Sequence, residues 1–341
     1  MRDLAELTTL RLGGPARELV DAATEEEVVA AMHDADARGE PLLVLGGGSN
    51  LVVADEGFPG TVVRIGMRGV ERDGTRLRVA AGEPWDPLVE RVVSEGMAGF
   101  ECLSGIPGLT GATPIQNVGA YGQEIKQTLT CVRAFDREAG EVVELSPAQC
   151  GFAYRSSAFK RTPGRWVVLE VGFELYEGPL SRPIAYPELA RAVGAESAPL
   201  AQVRAAVLRL RRGKGMVLDP SDPDTNSAGS FFTNPILTQA GWEQLVERAG
   251  EEVPPRFPEA DGRVKVSAAW LVEHAGYGRG YGAPAPIRVS SKHTLAITNQ
   301  GGGSAGGLVR LAREIAGGVQ ERFGVELVPE PVFAGHEWPT S

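Results

Sequence analysis

The segment from Gly105 to Gly122 constrains this chain more than any other. It reads Gly-Ile-Pro-Gly-Leu-Thr-Gly-Ala-Thr-Pro-Ile-Gln-Asn-Val-Gly-Ala-Tyr-Gly, with five glycines, two prolines and no charged side chain. Glycine lets a backbone approach a ligand closely and adopt positive φ, and proline fixes φ in between. Bare N–H groups, together with Thr110, Thr113, Gln116 and Asn117, make the stretch rich in donors. A neutral segment of this kind suits wrapping a phosphate or a flavin through backbone N–H groups. The alternative is a long, well-packed structural loop, but long irregular loops in compact domains are more often functional.

The first 65 residues read as a small α/β unit. Leu19–Ala22 is a strand, and Thr24 caps an apolar-periodic helix through Val28, Val29 and Met32, with Glu27 completing a capping box. Pro41–Leu45 is a buried strand that runs into Gly46-Gly47-Gly48-Ser49-Asn50-Leu51, and Thr61–Ile65 is another strand. Residues 67–175 are richer in strands, at Arg76–Ala80, Leu129–Phe135 and Trp166–Val171, with a helix near Pro87–Glu95. Residues 188–213 read as one Arg-rich helical stretch. Asp219–Ser227, dense in Pro, Asp, Asn and Ser, reads as a linker. Beyond it come helices near Gln239–Arg248 and Ala268–His274, a strand His293–Thr298, a helix Gly307–Phe323 and a strand Val325–Val328.

Between those last two strands lies Gly301-Gly302-Gly303-Ser304-Ala305-Gly306, which matches G-x-G-x-x-G. It follows a strand, opens a helix, and precedes Glu330 by roughly the spacing a dinucleotide fingerprint requires. No further strand–helix repeats follow it, so a doubly wound sheet is not expected here and the loop reads as a plain connection. Gly46–Leu51 fails the same pattern because Leu51 stands where the third glycine belongs.

Length and composition narrow the function. At 341 residues and 43% apolar content the chain has room for two or three domains with a sizeable core. A net charge of −10 argues against nucleic acid as the main partner, since phosphate neutralisation needs clustered Lys and Arg. No apolar run approaches the roughly 18 residues of a membrane span, and the N-terminus has no signal-peptide core, so a cytoplasmic protein is expected. Cys102, Cys131 and Cys150 lack CxxC spacing and read as free thiols, and the four histidines are too dispersed for a metal cluster.

Three residues stand out as chemical. Arg155, in Tyr154-Arg155-Ser156-Ser157, is flanked by small and aromatic residues and suits bidentate pairing with a carboxylate. Ser230, in Gly229-Ser230-Phe231-Phe232-Thr233-Asn234-Pro235, sits in an apolar, tightly turned setting. It is no hydrolase nucleophile elbow, because Phe232 replaces the second glycine. A serine hydroxyl can still protonate a strongly basic carbanion. Glu330 is held between Pro329 and Pro331, which suits a positioned acid.

The order and spacing of these motifs resemble the UDP-N-acetylenolpyruvoylglucosamine reductase (MurB) family, nearly end to end. The match opens at Thr8-Thr9-Leu10-Arg11-Leu12-Gly13-Gly14 and runs through Leu45–Asn50, Ile106–Gly122, Tyr154–Lys160, Gly229–Pro235 and Pro329-Glu330. The resemblance implies an α+β architecture: a FAD-binding fold of the vanillyl-alcohol-oxidase/PCMH type with an additional α/β substrate-binding domain. The expected divisions are 1–66 (with 325–341 packing back), 67–215 and 216–324. Ala185-Tyr186-Pro187-Glu188-Leu189 is similar to the tyrosine-bearing loop of the longer, type I reductases. By position, Gly46, Gly47, Gly48, Ser49, Asn50, Leu51, Ala112, Thr113, Gln116, Asn117, Gly119 and Tyr121 would hold FAD. Arg155, Ser230 and Glu330 match the catalytic residues; Tyr154, Tyr186, Lys214, Gly229 and Asn234 match substrate contacts.

The implied reaction is NADPH-dependent reduction of an enolpyruvyl nucleotide sugar for peptidoglycan precursor synthesis. Arg155 would face the substrate carboxylate, Ser230 would supply the proton, and a protonated Glu330 could donate a second hydrogen bond. FAD would be non-covalent, since Ser49 and Asn50 stand where covalent members of the fold carry His. Arg155, Arg211 and Lys214 would form a local positive patch for the diphosphate. A monomer acting on a small molecule is expected, with no nucleic-acid or membrane partner. Competing readings are a non-covalent flavin oxidase of the same fold and a nucleotide-sugar binding protein without turnover.

Overall fold

The computed structural model describes residues 2–259 and 261–338. They fall into two compact units, one made of Ala16–Gly48 and Phe58–Val217, the other of Arg2–Pro15, Ser49–Gly57 and the chain from Leu218 on. The chain therefore passes from one unit to the other inside the glycine turn, between Gly48 and Ser49.

The first unit begins with three parallel strands, Ala16–Ala22, Leu42–Leu45 and Phe58–Ile65, the last of them central. Val62 and Val63 are fully buried there, as expected of a strand covered on both faces. The helix Glu25–Ala37 makes the crossover and buries Val28, Ala31, Met32 and Ala35, one stripe at helical spacing. Its capping box forms: Thr24 accepts from the Glu27 N–H, and the Glu27 carboxylate accepts from the Thr24 N–H at 3.2 Å. An antiparallel five-stranded sheet follows, in the order Glu141–Leu145, Leu129–Asp136, Trp166–Glu174, Arg76–Ala80, Val70–Asp73. The helix Trp85–Ser94 lays Trp85, Leu88, Val89, Val92 and Val93 into the same core, where Trp85, Phe100 and Phe173 pack ring against ring.

The Arg-rich stretch is two helices, Pro187–Val193 and Leu200–Gly213. Gly194 ends the first in a left-handed conformation at φ 78°, and Pro199 caps the second. The glycine and proline stop signals outweigh the continuous helical composition.

In the second unit the helix Ala305–Phe323 buries Leu308, Leu311, Ala312, Ile315, Val319 and Phe323 against the helices Gln239–Ala249 and Ala268–His274. Two expectations fail here. Asp219–Ser227 is packed rather than a free linker. Asp224 and Thr225 are buried, and the Asp224 carboxylate accepts from the Ser291 N–H and hydroxyl and from Gln300 Nε2. Val325–Val328 is not a strand: Val325 and Leu327 alternate inward as a strand's residues would, but no ladder forms. The pairing comes later, where Val332–Ala334 runs parallel to Leu51–Val53. The strand expected at His293–Thr298 shrinks to Ile297–Asn299. Among the described residues no helix is long and apolar enough to cross a membrane.

Candidate active site

In the first unit the three parallel strands end together, and the turns that follow them are small: Ala22-Ala23, Gly46-Gly47 and Gly66. These residues, with Leu109 from the glycine-rich segment, line a cleft of about 280 Å³. Open α/β sheets bind ligands at this end of their strands. Arg64 and Arg68 bring positive charge to the cleft, answered by Asp21 at 3.1 Å and Glu83 at 3.8 Å. Gly47 packs directly on Gly108, for a Cβ there would lie 2.7 Å from the Gly108 Cα. The two glycine motifs separated by some sixty residues of sequence thus form one surface of bare backbone. A flat, pyrophosphate-bearing cofactor needs such a surface.

The rest of the glycine-rich segment is braced from outside. Asp86 accepts from the Gly105 N–H at 2.6 Å and is clamped by Arg204 through two bonds of 2.6 and 3.0 Å. Burial pushes the Asp86 carboxyl up, but the Arg204 hydrogen bond, the Gly105 amide and the nearby Arg charges outweigh it and hold it below the usual carboxylate range. Glu101, fully buried, accepts from the Gly99 N–H at 2.6 Å and from Gln123 Nε2 at 2.8 Å. Thr110 donates to Glu83 O at 3.0 Å and Thr113 to Thr110 O at 2.7 Å.

Among the described residues, four that are not glycine adopt positive φ: Arg11, Asn117, Tyr121 and Arg155. Three of them are candidate site residues. A left-handed conformation costs a residue with a Cβ roughly 1–2 kcal/mol, and such strain gathers at functional sites. The Asn117 side chain is committed to its own chain: Oδ1 accepts from the Lys126 N–H, and Nδ2 donates to Glu124 and to Ala153 O. What Asn117 offers a ligand is therefore backbone. Arg155 sits in a tight turn closed by Ala153 N–H to Ser156 O at 3.0 Å and the reverse bond at 3.2 Å. Its Nη2 donates to Gly119 O at 2.9 Å, which draws the guanidinium against the end of the glycine-rich segment. The neighbouring Ser157 caps the next turn of helix and donates to Ile115 O, so the Tyr154–Lys160 motif and the glycine-rich segment are stitched together.

Around Tyr121 the expected cations gather. Lys214 Nζ lies 5.8 Å from its ring centroid, and the Arg211 charge acts on its hydroxyl. Burial nevertheless raises the Tyr121 phenol to about 12. Burial lowers Arg211 to about 10, with the Arg155 charge adding to the same effect. Tyr186 stacks edge-on against Tyr121 at 5.4 Å, and Lys214 forms an ion pair of 2.7 Å with Glu188.

The second unit brings Ser230 and Glu330 together. The Glu330 N–H donates to Phe231 O at 2.8 Å, one residue from Ser230. Asn50 brackets the same residue from the other side: its Nδ2 donates to Glu330 O at 3.3 Å and its carbonyl accepts from the Val332 N–H at 3.0 Å. Phe231 and Phe232 fill the core against Phe333 and Trp338, which holds Ser230 at the edge of a rigid apolar wedge. A side chain on Gly229 would meet open space, so the surface beside Ser230 is bare. Asn234 Oδ1 accepts from the Ala268 N–H at 2.9 Å, the first amide of the helix Ala268–His274.

The G-x-G-x-x-G loop is filled by its own chain. Asn299 Oδ1 accepts from the N–H groups of Gly301 and Gly303 at 3.0 and 3.1 Å. Asp55 accepts from Ala305 and Gly306 at 2.7 and 2.9 Å, and Ser304 from Gly307 at 3.0 Å. A pyrophosphate would need these five donors. The loop is an internally capped helix start, as the plain-connection reading expects.

Two family models match. An FAD-binding domain model covers residues 16–146, and a model for the C-terminal domain of UDP-N-acetylenolpyruvoylglucosamine reductase covers residues 220–334. A reductase of that name from Streptomyces coelicolor is 57% identical over 97% of this chain and 89% of its own length. One from Thermobifida fusca is 55% identical over 97% and 96%.

The chain belongs to the UDP-N-acetylenolpyruvoylglucosamine reductase family.

The crystal structure of the family's enzyme from Thermus caldophilus superposes with a TM-score of 0.67 at 28% identity, covering 98% of this chain and 97% of that one. This reductase is thus an FAD-containing oxidoreductase with an α+β FAD-binding fold and the family's own C-terminal domain. The bare glycine cleft fits that cofactor. Several residues that shape the site or fill the G-x-G-x-x-G loop escape a reading of the sequence: Asp86, Glu101, Glu188 and Arg204 at the site, and Asp55 at the loop. For Glu101 a signal existed, a lone carboxylate in the apolar run Gly99-Phe100-Glu101-Cys102-Leu103. The others look like ordinary surface charges until the fold sets a backbone N–H or an opposite charge against them.

Proposed function

We propose that this reductase converts UDP-N-acetylglucosamine enolpyruvate to UDP-N-acetylmuramate at the expense of NADPH, with FAD held non-covalently by Gly46–Leu51 and by Ala112, Thr113, Gln116, Asn117, Gly119 and Tyr121. FAD held there would supply hydride chemistry, with NADPH as the source of its two electrons. The side chains handle the charge and the proton. When the terminal vinyl carbon accepts a hydride, an electron pair moves onto the carbon that bears the carboxylate. Arg155 pairs with that carboxylate, and a charge-assisted guanidinium contact is the strong form of such a bond. Ser230 gives its proton to the carbanion and is reprotonated from solvent, so the double bond gains one hydride and one proton. Glu330 would donate a second hydrogen bond to the developing charge. Tyr154, Tyr186, Lys214, Gly229 and Asn234 bind the nucleotide sugar.

One observation supports this reading most. The end of the glycine turn, Asn50, and the residue following Ser230 both bond the backbone of Glu330. Three stretches separated by nearly two hundred residues and then a hundred more therefore converge within one unit. The left-handed Arg155 adds weight from the other unit. We further propose that the chain works as a monomer in the cytoplasm, without a nucleic-acid or membrane partner, and that its domains run 1–66 (joined by 325–341), 67–215 and 216–324.

The test is Ser230→Ala, followed in two half-reactions. NADPH should bleach the flavin at the normal rate, while reoxidation by the enolpyruvyl sugar should slow by on the order of 10²–10³-fold, the usual cost of a transition-state contact. Equal rates in the second half-reaction would remove Ser230 from the chemistry.

A further inference from the structure

The cation that this reading assigns to the substrate diphosphate is already paired. Lys214 Nζ stands 2.7 Å from Glu188 Oε2, and both side chains are about one-third exposed, at 32% and 34%. Lys214 caps the helix Leu200–Gly213, while Glu188 lies in the first turn of Pro187–Val193. The residue that starts this second helix is Tyr186, whose ring stacks on Tyr121 beneath Lys214. One helical turn thus carries both an aromatic cover and a carboxylate, and both converge on the same lysine.

We infer that Glu188 is a competitive latch: it occupies Lys214 in place of a diphosphate oxygen, and a nucleotide sugar must displace it to bind. The inference rests on the assignment of Lys214 to the substrate. A carboxylate and a phosphate oxygen satisfy the same ammonium donors, so only one of them can hold the Nζ face that Glu188 takes. Exchange of one anion for the other leaves the charge at Lys214 balanced at every stage. It also disfavours ligands with too little charge to evict Glu188, such as a neutral sugar, and so makes Glu188 a specificity residue for the diphosphate. Because Tyr186 lies two residues before Glu188, eviction of the carboxylate also releases the turn that carries the aromatic ring.

The experiment uses the flavin-loaded enzyme with UDP-N-acetylglucosamine as the probe, titrated by calorimetry at several salt concentrations. Glu188→Gln keeps the shape and removes the charge. The latch predicts binding about two- to fivefold tighter than wild type, the range of a half-exposed ion pair. It also predicts a steeper loss of affinity with salt, since binding then creates a new ion pair instead of exchanging one. In a Lys214→Met background the effect of Glu188→Gln should vanish. Affinity that is unchanged or weaker in Glu188→Gln would overturn the latch and make Glu188 a support for Lys214. Wild-type affinity unaffected by Lys214→Met would instead overturn the assignment of Lys214 itself. Flavin absorbance and melting temperature of each variant confirm that the fold is intact, and Glu188→Ala provides a second charge removal.

Discussion

Gly46 and Gly47 are neighbours in sequence, but the structure separates their roles sharply, and alanine at each tests the cradle in a different way. A Cβ on Gly47 would lie 2.7 Å from the Gly108 Cα and 3.3 Å from its carbonyl carbon. Ordinary carbon contacts are about 3.5–4.0 Å, so the two glycine motifs must part by roughly 1 Å. Both are backbone and cannot swing aside, and overpacking of this kind costs about 1–3 kcal/mol. A Cβ on Gly46 would lie 3.7 Å from Leu109 Cδ1, an ordinary contact with no clash in the chain. Apoprotein melting should therefore fall for Gly47→Ala by about 2–4 °C for each kcal/mol, and stay at the wild-type value for Gly46→Ala. FAD affinity should fall for both, for Gly47→Ala by about 5- to 150-fold. The assay is titration of deflavinated protein with FAD, read by quenching of flavin fluorescence, beside thermal melts without cofactor. For Gly46→Ala any loss of affinity arises from the ligand alone. If that variant binds FAD as wild type does, the cofactor does not approach Gly46 and the cradle reading is refuted.

Two further outcomes check the supports of the site. The Asp86 carboxyl lies below its ordinary value in the folded protein, so its contribution is fully present above the unfolded pKa of about 4 and is lost as pH falls through the folded value. Urea unfolding should show Asp86→Asn less stable at neutral pH, with the gap to wild type closing on acidification; a constant gap would deny the carboxylate its role. Asp55→Ala leaves the first turn of Ala305–Phe323 without its carboxylate, a loss of about 1 kcal/mol in unfolding experiments. The NADPH concentration dependence of flavin bleaching should not move, because the loop at 301–306 holds no dinucleotide; a raised requirement for NADPH would restore the fingerprint reading.

Elements whose signal is local were legible in the sequence. The helix Glu25–Ala37 declares itself through Thr24, Glu27 and an apolar stripe, and two of the parallel strands through short apolar runs that end at Gly46 and Gly66. The failures have a common cause. Val325–Val328 alternates because two of its side chains reach the core, and burial has the same period as pairing. Asp219–Ser227 has linker composition, but Asp224 finds three donors that only the fold supplies. Within the site, the left-handed backbone of Asn117 could be suspected from its residue type, since asparagine tolerates that region. Tyr121 takes positive φ as the first residue of the two-residue hairpin turn Tyr121-Gly122, between the paired residues Ala120 and Gln123, and Arg155 does so inside the turn closed between Ala153 and Ser156. The G-x-G-x-x-G match shows the reverse case, a complete local signal cancelled by Asp55 and Asn299 from outside the motif.

The central claim is that the two glycine motifs hold a flavin through which an enolpyruvyl nucleotide sugar is reduced. The most direct measurement is anaerobic NADPH consumption by the purified yellow protein as UDP-N-acetylglucosamine enolpyruvate is added in known amounts. One NADPH oxidised for each enolpyruvyl group, with UDP-N-acetylmuramate as the product and no consumption beyond one equivalent per flavin in the sugar's absence, is the predicted result. NADPH consumption that ignores the sugar, or a colourless protein that binds the sugar without turnover, would contradict the account.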